Sequence, residues 1–88
     1  MLYEVKYTTR ALKDLKKMDK HVSKMLLAWI RKNLHMCKDP RAIGKGLSAN
    51  HLGKWRYRIG DYRILAEIQD DKLIILVIEV GHRKEIYR

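Results

Sequence analysis

The chain has 88 residues, enough for one domain and one core and too few for two. Its 20 Lys and Arg against 10 Asp and Glu leave a net charge of +10, which points to nucleic acid or an acidic protein as partner and to salt-sensitive binding. The single cysteine, Cys37, excludes an intrachain disulfide, and the longest apolar run, residues 73–78, is too short to span a bilayer. The opening MLYEVKYTTR has no apolar stretch of signal-peptide length, so a reducing, cytoplasmic location is expected.

Residues 2–8 alternate, with Leu2, Glu4 and Lys6 on one side and Tyr3, Val5 and Tyr7 on the other, the pattern of a half-buried strand. Thr8 or Thr9 can cap a helix whose apolar stripe is Ala11, Leu12, Leu15 and Met18. Asp19 can cap a second helix carrying Val22, Met25, Leu26, Trp29, Ile30, Leu34 and Cys37 at three- and four-residue steps. Asp39-Pro40 ends it, because the residue before a proline avoids the helical region. The short joint at residues 18–20 predicts an antiparallel helical hairpin. Cys37 on an apolar face reads as packing rather than as a nucleophile.

Residues 41–53 form a loop with Gly44, Gly46 and Gly53 and the polar Ser48, Ala49 and Asn50. Three strands follow: residues 54–59, a tight turn at Gly60-Asp61, residues 62–69, a second turn at Asp70-Asp71, and residues 72–80. The last is apolar on both faces and is expected in the sheet interior. Gly81 is expected to break it, leaving residues 82–88 as a tail. There is no repeat and no linker. The fold class is α+β: an N-terminal strand, a two-helix antiparallel hairpin, then three antiparallel strands, all one domain over residues 1–88 with the helices on one face of an antiparallel sheet.

The alternation assigns faces. Trp55, Tyr57 and Ile59, then Tyr62, Ile64, Ala66 and Ile68, point to the helices; Arg56, Arg58 and Arg63, with Leu65 and Glu67, point away. Like charges on adjacent strands cost about 0.2–1 kcal/mol per pair. A scaffold that accepts this is suited to an anion, and forked guanidiniums suit phosphate oxygens. The tail adds His82, Arg83, Lys84, Tyr87 and Arg88. With Gly81 as a turn, His82 and Arg83 would lie beside the arginine face, and a histidine among cations is a candidate proton-transfer group. Tyr87 either stacks on a base, lends its hydroxyl to the chemistry, or packs the segment down.

The stretches LGKWRYRIGDYRILAEI and ILVIEVGHRKEIYR, with the loop Pro40-Arg41-Ala42-Ile43-Gly44-Lys45-Gly46-Leu47, resemble the RelE/ParE superfamily of bacterial type II toxins, on its RelE branch. The resemblance covers the whole chain and implies a ribosome-dependent endoribonuclease. Such toxins cut mRNA in the ribosomal A site with the message's own 2′-hydroxyl, need no metal or other cofactor, and are held inactive by a cognate antitoxin. That antitoxin is expected to be small with an acidic amphipathic segment, and the complex to bind operator DNA through it. By position, Arg63 would hold the scissile phosphate, Arg83 would stabilise transition-state charge, and Tyr87 would orient the nucleotide. Arg56 and Arg58 stand where well-known members carry lysines. A guanidinium keeps its proton, so the base is sought at Lys54, Lys45 or Lys84, or at His82, which is favoured. Lys13, Lys16, Lys17, Lys20 and Lys24 on the helices would meet ribosomal RNA. Two other readings stay open: a ParE-like poison of DNA gyrase without catalysis, and a non-catalytic RNA-binding module.

Overall fold

The structure is a computed structural model that describes residues 1–46 and 54–86. The expected loop residues 47–53, with Ser48, Ala49, Asn50 and Gly53, and the end of the tail, with Tyr87, lie outside the described residues.

Strand β1 (Glu4–Tyr7) leads into helices α1 (Thr9–Lys17) and α2 (Lys20–Asn33). A short strand β2 (Lys45–Gly46) precedes β3 (Lys54–Ile59), β4 (Tyr62–Gln69), β5 (Ile74–His82) and a single helical turn, α3 (Arg83–Ile86). The five strands form one sheet in the order β1-β5-β4-β3-β2. The strands β3, β4 and β5 are antiparallel as expected. However, β1 runs parallel to β5, so the sheet is mixed. A parallel neighbour requires a long connection, and here the helical hairpin and strands β2 to β4 all lie between β1 and β5 in the chain. β5 is interior, as its two-sided apolar pattern requires, while β4 holds the middle position.

Capping follows the sequence. The Thr8 hydroxyl accepts the Ala11 N–H at 3.1 Å and donates to the Ile78 carbonyl at 2.9 Å, so one side chain both starts α1 and ties it to β5. Asp19 accepts the His21 N–H at 3.0 Å at the start of α2. That helix stops at Asn33, short of Asp39-Pro40. Met36, in the left-handed region at φ 63°, turns the chain back so that Cys37 bridges to Tyr3. The Cys37 carbonyl accepts the Tyr3 N–H at 2.9 Å, and Met36 N–H donates to the Tyr3 carbonyl at 2.7 Å. Cys37 therefore sits beyond the helix, and burial pushes its thiol up.

The β3–β4 connection is the expected two-residue turn, with Gly60 at φ 59° supplying the left-handed position. The β4–β5 connection is longer than expected: residues 70–73 intervene, and Leu73 has φ 54°. Gly81 does not break β5. It pairs with Arg63, and His82 pairs with Tyr62, so the strand continues two residues past Val80.

The core lies between sheet and helices. Ala11, Leu15, Leu26, Ile30 and Leu34 pack on Tyr57, Ile64, Ala66, Ile68, Ile75, Val77 and Val80. An irregularity in register at Leu65/Ala66 skips Ile78, which is why Ile75, Val77 and Val80 are all buried although strict alternation would turn Val80 away. No helix among the described residues is long and apolar enough to cross a membrane.

Candidate functional site

The arginine face follows from register. Arg58 stands opposite Arg63 and Arg56 opposite Leu65, while Tyr57, Ile64 and Ala66 are buried on the helix side. Among the described residues β2 pairs with Trp55 and Arg56 of β3. Beyond it the edge of β3 opens into a cleft of about 470 Å³. Among the described residues its lining includes Lys45, Arg56, Arg58 and Arg63, with Trp29 and Asn33 of α2, and contains no carboxylate.

The three arginines are not equivalent. Arg58 is exposed and Arg56 half-buried, whereas Arg63 retains only 5% of its surface. Among its contacts, its Nη1 donates to the Gly60 and Tyr62 carbonyls at 3.2 and 3.1 Å. A guanidinium removed from water needs such acceptors, and these two lie in the turn and at the first residue of β4. The main-chain N–H of Arg83 donates to the Asp61 carbonyl at 2.8 Å, so the start of α3 is fastened to the same turn. The Arg83 side chain is exposed.

His82 is placed differently from the sequence expectation. Paired with Tyr62, it lies on the helix side, opposite to Arg63, with its ring 5.7 Å from the Tyr62 ring in an edge-on contact. A second cleft, with Asp14, Lys17 and Asp19, opens there. The reason is parity: with β5 unbroken at Gly81, His82 must take the opposite face from the residue that pairs with Arg63. Its Nδ1 accepts the Lys84 N–H at 3.3 Å.

Of the alternative lysines, Lys54 is engaged by its cross-strand neighbour Glu67 at 2.6 Å. That ammonium, aided by Gln69, lowers the Glu67 carboxyl below its ordinary value. Lys84 is exposed in the first turn of α3. Lys45 alone among these candidates lines the cleft with the arginines.

The loop carrying Lys45 is held by groups that sequence reasoning did not assign. Tyr57, fully buried, donates its hydroxyl to the Pro40 carbonyl at 2.6 Å, and burial pushes that phenol strongly up. Trp55 Nε1 donates to the Ile43 carbonyl at 2.7 Å. Arg41 lies over the Trp55 ring at 6.0 Å and forks onto Asp70 at 3.0 and 2.9 Å. Asp70 also accepts the Tyr3 hydroxyl at 2.5 Å. Gly44, at φ +84°, lies so close that a Cβ would fall 2.5 Å from the Arg56 carbonyl. The glycine in the loop was the available signal; the partners were too distant in sequence to be read.

The family model described as the ParE toxin of type II toxin–antitoxin systems matches residues 5–87. The chain belongs to this toxin family. It is 32% identical to Toxin RelG of Mycobacterium tuberculosis, covering 100% of this chain and 99% of that one. A putative RelE-like toxin protein of Escherichia coli is 30% identical, over 96% of this chain and 86% of the relative. The toxin's fold is similar to the crystal structure of the toxin–antitoxin complex RelBE2 from Mycobacterium tuberculosis, with a TM-score of 0.84 and 29% identity, covering 94% of this chain and 93% of that one. An E. coli RelE mutant in the free state gives 0.72 at 22% identity, over 98% and 88%, a likeness of fold. These are the RelE-type toxins that the motifs resemble.

Proposed function

We propose that this toxin is a ribosome-dependent endoribonuclease that cuts mRNA. The observation that carries the reading is the cleft where Lys45, Arg56, Arg58 and Arg63 converge without a carboxylate among its described lining residues. In the reaction the message's 2′-hydroxyl would pass its proton to the Lys45 amine and attack the adjacent phosphorus. The P–O5′ bond breaks, the 5′-oxygen takes a proton, and a 2′,3′-cyclic phosphate remains. Arg56 and Arg58 would grip phosphate oxygens, and Arg63, fixed by the turn carbonyls, would stabilise the added charge without reorganising. Lys45 would then return that proton to the leaving oxygen. Arg83 and Tyr87 would complete the site from α3 and beyond. His82 becomes a positioning residue, because its Nδ1 holds the Lys84 N–H at the start of that turn.

Docking on the ribosome is supported by the helices, where Lys13, Lys16, Lys17, Lys20 and Lys24 are all exposed. The ribosome would supply alignment, worth a large share of such a barrier. The partner that restrains the toxin would be a cognate antitoxin with an acidic segment complementary to the net charge of +10, able to carry the complex to operator DNA. The solved relative RelBE2 is itself a toxin–antitoxin complex.

Primer extension on a defined message, with and without programmed ribosomes, tests the reading. Cutting confined to the A site and lost in Arg63→Ala supports it; an intact message refutes it. The family model's description favours one second reading, a ParE-type toxin acting on gyrase without catalysis. Inhibition of DNA supercoiling by the purified toxin, unchanged by Arg63→Ala, would establish that instead.

A further inference from the structure

The cleft is charged on one side only. Trp29 and Asn33, one turn apart on α2, form its other wall with Ile43 and Gly44. The Trp29 ring rests against Tyr57, with centroids 6.0 Å apart and planes tilted by 54°, so it is braced from behind. Asn33 uses its amide N–H on the Trp29 carbonyl at 2.9 Å, which fixes the side chain and leaves its Oδ1 as an acceptor. A braced aromatic, an oriented amide and a wall of backbone and aliphatic surface, adjoining four cations, have the makeup of a site for a base beside its phosphate. The volume of about 470 Å³ falls within the roughly 300–1,000 Å³ of small-ligand clefts.

We propose that Trp29 and Asn33 form a nucleobase subsite, and that it sets which base this toxin accepts next to the bond it cuts. The inference rests on the ribonuclease reading above. Trp29 supplies the face that fixes the plane and height of the base against Asn33, and Asn33 supplies the edge contact that ranks the bases, so a smaller ring at 29 loosens the ranking as loss of the amide does. Arg56 and Arg58 contact phosphate and carry no sequence information. Removing Asn33 therefore flattens base preference, while removing Arg58 slows every substrate alike.

The test uses ribosomes stalled on messages that differ by one A-site base at a time. Cutting rates are measured for the wild type, Asn33→Ala, Trp29→Phe and Arg58→Ala. The phenylalanine keeps a ring against Tyr57, and thermal unfolding of each variant is followed in parallel; if one unfolds, the other carries the comparison. The expected result is a wild-type preference of about tenfold between best and worst base, the worth of one edge hydrogen bond. It shrinks at least threefold in Asn33→Ala and Trp29→Phe and stays intact in Arg58→Ala. Equal cutting of all messages by the wild type overturns the subsite, as does an unchanged ranking in both α2 variants, with the ribonuclease reading left standing. If the wild type cuts no message, the ribonuclease reading falls and the subsite with it.

Discussion

Arg58 and Arg63 face each other directly across the β3–β4 pair, yet one is exposed and the other almost wholly buried. Arg63 is held partly by carbonyls of the turn that joins the two strands, whereas Arg58 projects into the cleft. Two identical side chains in register thus differ in surroundings: one is part of the scaffold as well as of the cleft lining, the other of the cleft lining alone.

Substitution separates them. Arg63→Ala empties a buried position and removes the hydrogen bonds its guanidinium makes, and should cost about 1–3 kcal/mol of stability. Arg58→Ala should stay within about 0.5 kcal/mol. Both should weaken RNA cutting. Thermal unfolding beside the ribosome assay checks this, and equal destabilisation by the two would contradict the burial difference.

His82→Asn distinguishes proton transfer from positioning. An asparagine carbonyl can accept an N–H two residues on, as the imidazole Nδ1 does with Lys84. Activity should therefore fall by less than about tenfold, against the 10²- to 10⁴-fold, roughly, that loss of a general base brings. The larger loss, with a changed pH–rate profile, would return His82 to the chemistry.

The Asp70 cluster gives a pH signature. Hydrogen bonds from Arg41 first and Tyr3 second hold the Asp70 carboxyl at about 2, below its ordinary 3.8. Because the folded value is the lower one, the stabilisation is complete above about 4 and disappears as pH falls toward 2. The side chain is 55% exposed, so solvent and salt screen the effect. Unfolding midpoints for Asp70→Asn should converge on those of the wild type as pH drops from 5 to 2. A constant gap across that window would rule out this ionisation.

Two glycines with positive φ should respond unequally. Gly60→Ala meets nothing within 4 Å and carries only the backbone penalty of about 1–2 kcal/mol. Gly44→Ala adds collisions with the Arg56 carbonyl at 2.5 Å and Trp55 Nε1 at 2.6 Å. The second should be clearly the more damaging and should shift tryptophan fluorescence, since Trp55 must move; comparable unfolding midpoints would refute the close approach.

Much of this was legible in the chain. The strand alternation assigned Tyr57, Ile64, Ala66 and Ile68 to the core correctly, and both helix caps follow from Thr8 and Asp19. What was hidden depends on contacts distant in sequence. The parallel pairing of β1 leaves no local mark, and α2 ends early because Tyr3 recruits Cys37 from more than thirty residues away. Gly81 looked like a stop because glycine is common at breaks; here it is a strand residue opposite Arg63. That single difference moved His82 to the other face. The clamp of Arg41, Asp70 and Tyr3 joins three separate segments and could not be read from any one of them.

The parallel seam between β1 and β5 also constrains when this fold can be completed. Glu4 and Thr8 donate their N–H groups to the carbonyls of Leu73 and Val77. The first strand made on the ribosome has no partner until nearly all of the chain has emerged, and so long a loop closes slowly. A message truncated before β5 yields a product without its seam, its core half-built and Arg63 uncovered. The sheet that frames the cleft can therefore close only when synthesis is almost finished.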